Sequence, residues 1–241
     1  MPRSFAVFGA GPGLGQAVAR RYAREGYEIV LVGRRRDPLD RLAATLADGG
    51  AAVHPISADL ADTAAVPRLA EQIRAAVGDL DAFYYASSPN SGFVQATELH
   101  AEAVRDYLPL AVYSLLALVH EFLPGMLERG DGAILVAQGA AALRGRPGMS
   151  GPGLGLAAQR NYLESLEAEI ADQGVYVGRL YIGAAIENTP FHARQEAAIA
   201  SGARGPHFPS VSPDQLAELL WSMHRTRSRG EASYPEELVR S

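Results

Sequence analysis

Short, nearly unbroken apolar runs recur along this chain, each followed by a longer stretch in which apolar residues return every three or four positions. The runs read as strands buried on both faces of a parallel sheet, and the longer stretches as the amphipathic helices that cover it. Ala6, Val7 and Phe8 open the series and lead through a glycine turn into a helix over 16–25. Gly26-Tyr27 closes that helix, and a second strand at 28–33 and a second helix at 38–47 follow. A third strand at 51–57 precedes a helix that begins near Asp62-Thr63 and stops at Gly78. Strand four covers 80–86, a long helix about 102–128, and strand five 132–137. A helix from about 150 to 172, a sixth strand at 175–182, and a helix from Ser212-Pro213-Asp214 to about His224 complete the alternation. The least regular part is 144–155, with five glycines and two prolines. This alternation predicts a doubly wound α/β sheet.

The strand ends carry the candidate chemistry. After strand one, Gly9, Gly11, Pro12, Gly13, Leu14 and Gly15 form a turn in which glycines remove the side chains that would keep a diphosphate from the backbone. The helix behind it aims its free N–H groups at the same spot, so the turn reads as a dinucleotide cradle. The competing reading, a flexible turn with no ligand, is countered by its place inside a strand-turn-helix unit. Strand two ends in Arg34-Arg35-Arg36. NAD-binding folds place an Asp or Glu about 20 residues beyond the glycines for the ribose hydroxyls, whereas an Arg there accommodates a 2′-phosphate. Arg34, with Arg35 behind it, therefore points to NADP(H), and Arg36 reads as a solvent-facing neighbour. Strand three ends in Ala58-Asp59-Leu60. Asp59 there accepts a hydrogen bond from the adenine amino group while Leu60 flanks the ring, or Asp59 caps the next helix.

Composition adds bounds. The 241 residues are 48% apolar, with no linker composition or charge block dividing them, which predicts one domain over 1–241. A net charge of −5 gives no reason to expect nucleic acid. Without cysteine there is no disulfide or thiolate metal site, and the six histidines show no metal-ligand spacing. With no signal segment, and no run approaching the roughly 18 apolar residues of a span, the expectation is a cytoplasmic protein with no membrane partner.

The glycine spacing Gly9-x-x-x-Gly13-x-Gly15, the Arg after strand two, the Asp59-Leu60 pair, and Leu123-Pro124-Gly125-Met126 ahead of Gly132-Ala133-Ile134 resemble the short-chain dehydrogenase/reductase family. Chain length and element order agree, from Phe5 to about Trp221. The resemblance implies a single doubly wound Rossmann-type domain, a parallel seven-stranded sheet whose last strand lies near 231–234, and a homodimer or homotetramer built partly on the two long helices. In the family the end of strand four reads Asn-Asn-Ala-Gly; here it is Tyr85-Ala86-Ser87-Ser88, which puts Ala86 and Ser87 beside the cofactor. Ile182-Gly183 stands where the family has Pro-Gly, and Asn188-Thr189 where a Thr often touches the nicotinamide carboxamide. The segment at about 184–212 corresponds to the substrate lid, with His192 and His207 as substrate neighbours or solvated loop residues.

The family's catalytic residues are an Asn, a Ser, and a Tyr and Lys spaced Tyr-x-x-x-Lys. Hydride transfer to a carbonyl leaves an oxygen that needs a proton; the Tyr supplies it, and the Lys lowers the phenol's pKa and holds the nicotinamide ribose. The corresponding positions here are Ala111, Gly139, Pro152 and Leu156, and the chain contains no lysine. The sequence thus names no catalytic residue of family type. Substitute proton donors are Tyr84, Tyr85, Tyr113 and Ser150, each with a plain structural alternative: a buried strand position, a subunit interface, or an N-cap ahead of Pro152. Three functions stay open: an NADP(H)-binding sensor, regulator or partner subunit without hydride transfer; an atypical oxidoreductase whose proton comes from water or an unusual side chain; and a structural subunit that binds nothing.

Overall fold

The computed structural model describes residues 3–86, 92–202 and 207–238. In chain order the elements are β1 (Ser4–Phe8), α1 (Leu14–Arg24), β2 (Glu28–Gly33), α2 (Arg36–Asp48), β3 (Val53–Ser57), α3 (Val66–Val77), β4 (Ala82–Tyr85), α4 (Ala101–Leu108) and α5 (Ser114–Arg129). There follow β5 (Gly132–Gly139), α6 (Pro152–Glu169), β6 (Val175–Ile182), β7 (Ala185–Ile186), α7 (Pro190–Ala200), β8 (Ser210–Val211), α8 (Pro213–Thr226) and β9 (Glu231–Tyr234). Seven strands form one parallel sheet in the order β3-β2-β1-β4-β5-β6-β9. The order reverses between β1 and β4, so the ligand crevice of such a sheet opens beyond the carboxyl ends of these two strands.

Alternation along the strands divides the core in two. Phe5 and Val7 of β1 join Tyr84, Leu135 and Leu180 under α1, α2 and α8. Ala6 and Phe8 join Phe83, Tyr85, Ile134 and Val136 under α3, α5 and α6. Each strand is apolar on both faces because each face is covered, which is why the sequence shows continuous runs.

The long fourth helical stretch differs from the continuous helix expected over 102–128. Between α4 and α5, Pro109–Tyr113 forms a π-helical turn. Pro109 has no N–H to donate and its ring crowds the preceding turn, so the backbone widens there. Within Ala101–Arg129 one 18-residue window has a mean hydropathy of 1.6, long and apolar enough by length and composition alone to cross a membrane, a test that a core helix also passes. Leu115, Leu118, Val119, Phe122 and Met126 of this stretch pack onto the sheet. The N-cap of α6 is Gly151, at φ 100°, not Ser150; Pro152 does occupy the first turn. Ser150 instead pairs with Val94 through two backbone hydrogen bonds of 3.1 and 2.9 Å. The helix expected from Asp62-Thr63 starts as a 3-10 turn, Thr63–Ala65, before α3. Within 184–212, α7 and the small parallel pair β7–β8 stand outside the main sheet.

Candidate cofactor and reaction site

The glycine turn runs from β1 into α1, and its glycines divide the work. Gly9 (φ 103°) and Gly13 (φ 87°) adopt backbone conformations that side chains disfavour. The amides of Gly9 and Ala10 both donate to the Val32 carbonyl at the end of β2, at 3.1 and 3.0 Å, so they anchor the turn and leave the ligand to others. A Cβ at Gly15 would lie 2.2 Å from the Gly9 carbonyl oxygen, so Gly15 serves helix-to-strand packing. At Gly11 such an atom would meet nothing within 4 Å. No side chain caps α1. Its first backbone bonds run from Gln16 N–H to the Gly11 carbonyl and from Ala17 N–H to the Gly13 carbonyl, both 3.2 Å, which leaves the Leu14 and Gly15 amides for an anion. Pro12 forms part of an open cleft with Glu187, Asn188, Thr189, Pro190, His192 and Ala193. Thr189, just ahead of α7, packs on the turn so tightly that a Cβ at Gly13 would come within 2.5 Å of its methyl group.

At the end of β2 the three arginines separate by partner. Arg36 is held by Asp40 at 2.8 Å and reaches the Pro55 carbonyl at 3.4 Å. Arg34 and Arg35 are exposed, and among the described residues neither guanidinium has an acidic partner. The Ser57 hydroxyl donates to the Arg34 carbonyl at 3.0 Å and fixes the backbone there. Asp59 is exposed at the end of β3, and its Oδ1 accepts from the Ala61 amide at 3.0 Å, a local turn in place of a helix cap. Leu60 departs from expectation: its side chain is buried in the core under α3 and α5 instead of flanking the crevice, and its carbonyl accepts from the Ser114 hydroxyl.

Ala86 continues β4, its amide donating to the Phe8 carbonyl at 3.2 Å, which puts it at the switch point. Ser87, with Ser88, lies outside the described residues. Ile182 ends β6 half-buried against the α1–α8 core. The Gly183 amide is committed to the Tyr234 carbonyl at 2.7 Å, and a Cβ there would lie 2.5 Å from Leu238, so Gly183 packs against the end of β9 and offers no free donor.

On the other side of the crevice, Ala111 lies in the π turn, where its carbonyl accepts from the Gln159 amide at 2.6 Å. Gly155 of α6 presses on the same residue: a Cβ there would meet the Ala111 Cβ at 2.7 Å. Gly139 ends β5, 3.5 Å from Leu156 at the position a Cβ would take, and Leu156 is packed with Ala142 and Tyr181. Of the substitute donors, Tyr84 and Tyr85 are both fully buried, on opposite faces of the sheet. Burial pushes the Tyr84 phenol far above its usual pKa, and Tyr85 donates to the Leu110 carbonyl in the π turn. Tyr113 is about half exposed on the outside of the helix. His192 Nε2 sits 3.1 Å from the Ser210 hydroxyl beside the cleft, and His207 is exposed. Among the described residues no three His, Asp or Glu side chains gather as metal ligands.

Sequence reasoning missed Gln159, Gln138 and Tyr181. Gln159 had a visible signal: it interrupts the stripe Leu156, Leu163, Leu166 on the buried face of α6.

The pattern describing short chain dehydrogenases matches residues 4–198. The chain belongs to this family. A 1-deoxy-11-beta-hydroxypentalenate dehydrogenase of Streptomyces exfoliatus is 31% identical over 226 residues, covering 91% of this chain and 78% of the relative. A fatty acyl-CoA reductase of Mycobacterium tuberculosis is 28% identical over 221 residues, covering 91% and 72%. Among solved structures, L-sorbose reductase from Gluconobacter frateurii, complexed with NADPH and L-sorbose, superposes with a TM-score of 0.81 at 24% identity over 96% of this chain and 94% of that one.

Proposed function

We propose that this chain binds NADP(H) and lacks the family's Tyr/Lys proton relay, serving as a cofactor-dependent sensor, regulator or partner subunit. The Leu156 position carries the reading. Where a lysine would have to lower a phenol's pKa and hold a ribose, an apolar side chain packs against Ala142 and Tyr181, and Pro152 opens the same helix. Neither can hold or move a proton.

The cofactor side fits a phosphorylated dinucleotide. The uncapped start of α1 meets the diphosphate, Gly11 leaves room for it, and the exposed guanidiniums of Arg34 and Arg35 meet a 2′-phosphate. Bound there, the nicotinamide supplies hydride chemistry. The NADPH complex of L-sorbose reductase and the 5-hydroxy-NADP complex of the Thermococcus sibiricus alcohol dehydrogenase support the same cofactor. The exposed Tyr113, Leu116 and Leu154 on the long helices support a homodimer or homotetramer. We place the protein in the cytoplasm, with neither nucleic acid nor membrane as a partner and a small-molecule ligand of its own.

Fluorescence titration is expected to give saturable NADPH binding tighter than NADH; no saturation with either sinks the proposal, and a preference for NADH overturns the role of Arg34. A screen of aldehydes, ketones and activated alkenes is expected to give no NADPH oxidation. A second reading, an atypical reductase, is favoured by His192 and Ser210 beside the cleft that Pro12 lines, and by relatives named as reductases. Robust turnover that falls with His192→Ala would establish it.

A further inference from the structure

Directly beneath Gly139 lies a group of buried polar atoms that the fold itself does not use. Gln138 of β5 and Tyr181 of β6 are register partners, one residue before the pair Gly139 and Ile182. Paired residues on parallel strands project from the same face, and this face is the one covered by α6, where Tyr181 packs with Ala142 and Leu156. Gln138 is 5% exposed and Tyr181 is 0% exposed. Among the described residues, neither the oxygen nor the nitrogen of the Gln138 amide has a hydrogen-bond partner, and nor has the Tyr181 hydroxyl. Native interiors satisfy nearly all such groups, and three orphans side by side at the carboxyl ends of two strands call for a guest. The other orphans stand apart: the Tyr84 hydroxyl is on the opposite face, and Arg179 pairs with Glu167 at 2.7 Å through its other nitrogens.

We propose that Gln138 and Tyr181 are the recognition end of a ligand pocket that takes an uncharged carbonyl group carrying an adjacent N–H or O–H, as in a carboxamide or an α-hydroxy ketone. This rests on the reading that the reaction site has become a binding site. The donor and acceptor count fixes the class. The Gln138 amide nitrogen and the Tyr181 hydroxyl both donate to one carbonyl oxygen, and the Gln138 oxygen accepts from the neighbouring N–H or O–H. Burial raises the phenol's pKa, so Tyr181 keeps its proton for this bond. A carboxylate fits badly: it would face the Gln138 oxygen, and the two cations that act on Tyr181, Arg179 and Arg160, are already paired with Glu167 at 2.7 Å and Glu164 at 2.8 Å. An apolar ligand would leave the orphans as they are. The cover over the pair is Leu156 with Ala142 and Leu143, next to a segment in which Gly148 and Gly151 have positive φ. The pocket therefore opens by moving its cover and not the sheet.

The test exploits the fact that a side chain kept for a ligand costs the free protein stability. Thermal unfolding is compared for the parent, Gln138→Leu, Gln138→Met and Tyr181→Phe, all with saturating NADPH, alone and with hydroxyacetone, lactamide or methyl acetate as probes. The expected result is a Tm in each variant equal to the parent's or raised by about 2–4 °C. Hydroxyacetone and lactamide should raise the parent's Tm and leave the variants unmoved, while methyl acetate, which lacks the donor, shifts none of them. A fall in Tm in all three variants shows that the groups serve the fold and overturns the proposal, as does a parent that responds to all three probes alike or to none. These readouts are independent of NADPH oxidation, so turnover by the parent would defeat the proposed function while leaving the Tm comparison standing.

Discussion

The two sides of the crevice treat glycine and charge in opposite ways. On the β1–β2 side, Gly9, Gly13 and Gly15 are demanded by positive φ or by backbone contact, and at the next strand end two exposed guanidiniums have no acidic partner among the described residues. On the β5–α6 side, Gly139 has an ordinary φ of −65° and room for a side chain, and the start of α6 carries Pro152 and the apolar, buried Leu156. One side is still constrained by what a dinucleotide requires. On the other, helix packing sets the constraint, and the π turn uses the Ala111 carbonyl to receive Gln159; our proposal reads this side as free of proton transfer.

The sharpest way to break this comparison is to give both sides a side chain. Gly15→Ala puts a Cβ 2.2 Å from a carbonyl oxygen that cannot move without pulling β1 away from α1. A loss of about 3 kcal/mol is expected in denaturant unfolding, at the upper end of overpacking costs. Gly139→Ser meets only Leu156, at 3.5 Å, and is expected to stay within about 0.5 kcal/mol of the parent. Equal costs at the two positions would erase the asymmetry.

The next effect lies in the core behind the cofactor side. His224 of α8 is buried between Tyr176 and Trp221, and its Nδ1 shares a hydrogen bond of 2.9 Å with the Tyr22 hydroxyl of α1. Burial first, and then the positive charges of Arg227 and Arg3 against the weaker pull of Asp131, lower its pKa from 6.5 to about 4. Between those values the unfolded chain holds a proton that the folded one refuses, so stability is full above about pH 6.5 and is lost as the pH falls toward 4. The loss should reach about 2–3 kcal/mol, and His224→Phe should flatten the profile in that window. An unchanged slope in the variant would remove the histidine as its cause.

How far the sequence shows all this depends on which contacts are local. The strands and the glycine turn are legible because period, positive-φ residues and backbone approach are properties of consecutive residues. The arginines were legible as a group, but not that Asp40 claims Arg36, because i,i+4 pairing competes with a ligand only once the helix start is fixed. Leu60 and Gly183 show the opposite limit: core packing under α3 and the Tyr234 carbonyl in β9 are long-range claims on residues whose local motif points to the crevice. The π turn and the Gln138–Tyr181 pairing depend on register across strands and on Pro109, which the helical period conceals.

A smaller and more selective effect is expected from Arg34→Ala combined with Arg35→Ala. Neither side chain is tied into the fold by an ion pair, so Tm should not move. NADPH affinity should fall about 10–100-fold, the value of one or two charge-assisted hydrogen bonds, with NADH affinity unchanged. A parallel loss for both cofactors would mean that the arginines hold the turn and do not read the 2′-phosphate.

Arg36→Ala is the smallest change and the control that gives the previous one its meaning. Arg36 carries the same charge two positions along and lies at the start of α2, so a general electrostatic attraction would be weakened by its loss as much as by that of Arg34. Its guanidinium, however, is engaged by Asp40 at 2.8 Å, and removing an exposed pair of this kind changes stability by no more than about 0.5 kcal/mol. If specificity comes from unpaired guanidiniums at the strand end, Arg36→Ala leaves the ratio of NADPH to NADH affinity where it was. If the ratio falls as far as in the Arg34 and Arg35 variant, what distinguishes the cofactor side is its summed positive charge, and the pairing seen at Asp40 does not decide which arginine binds.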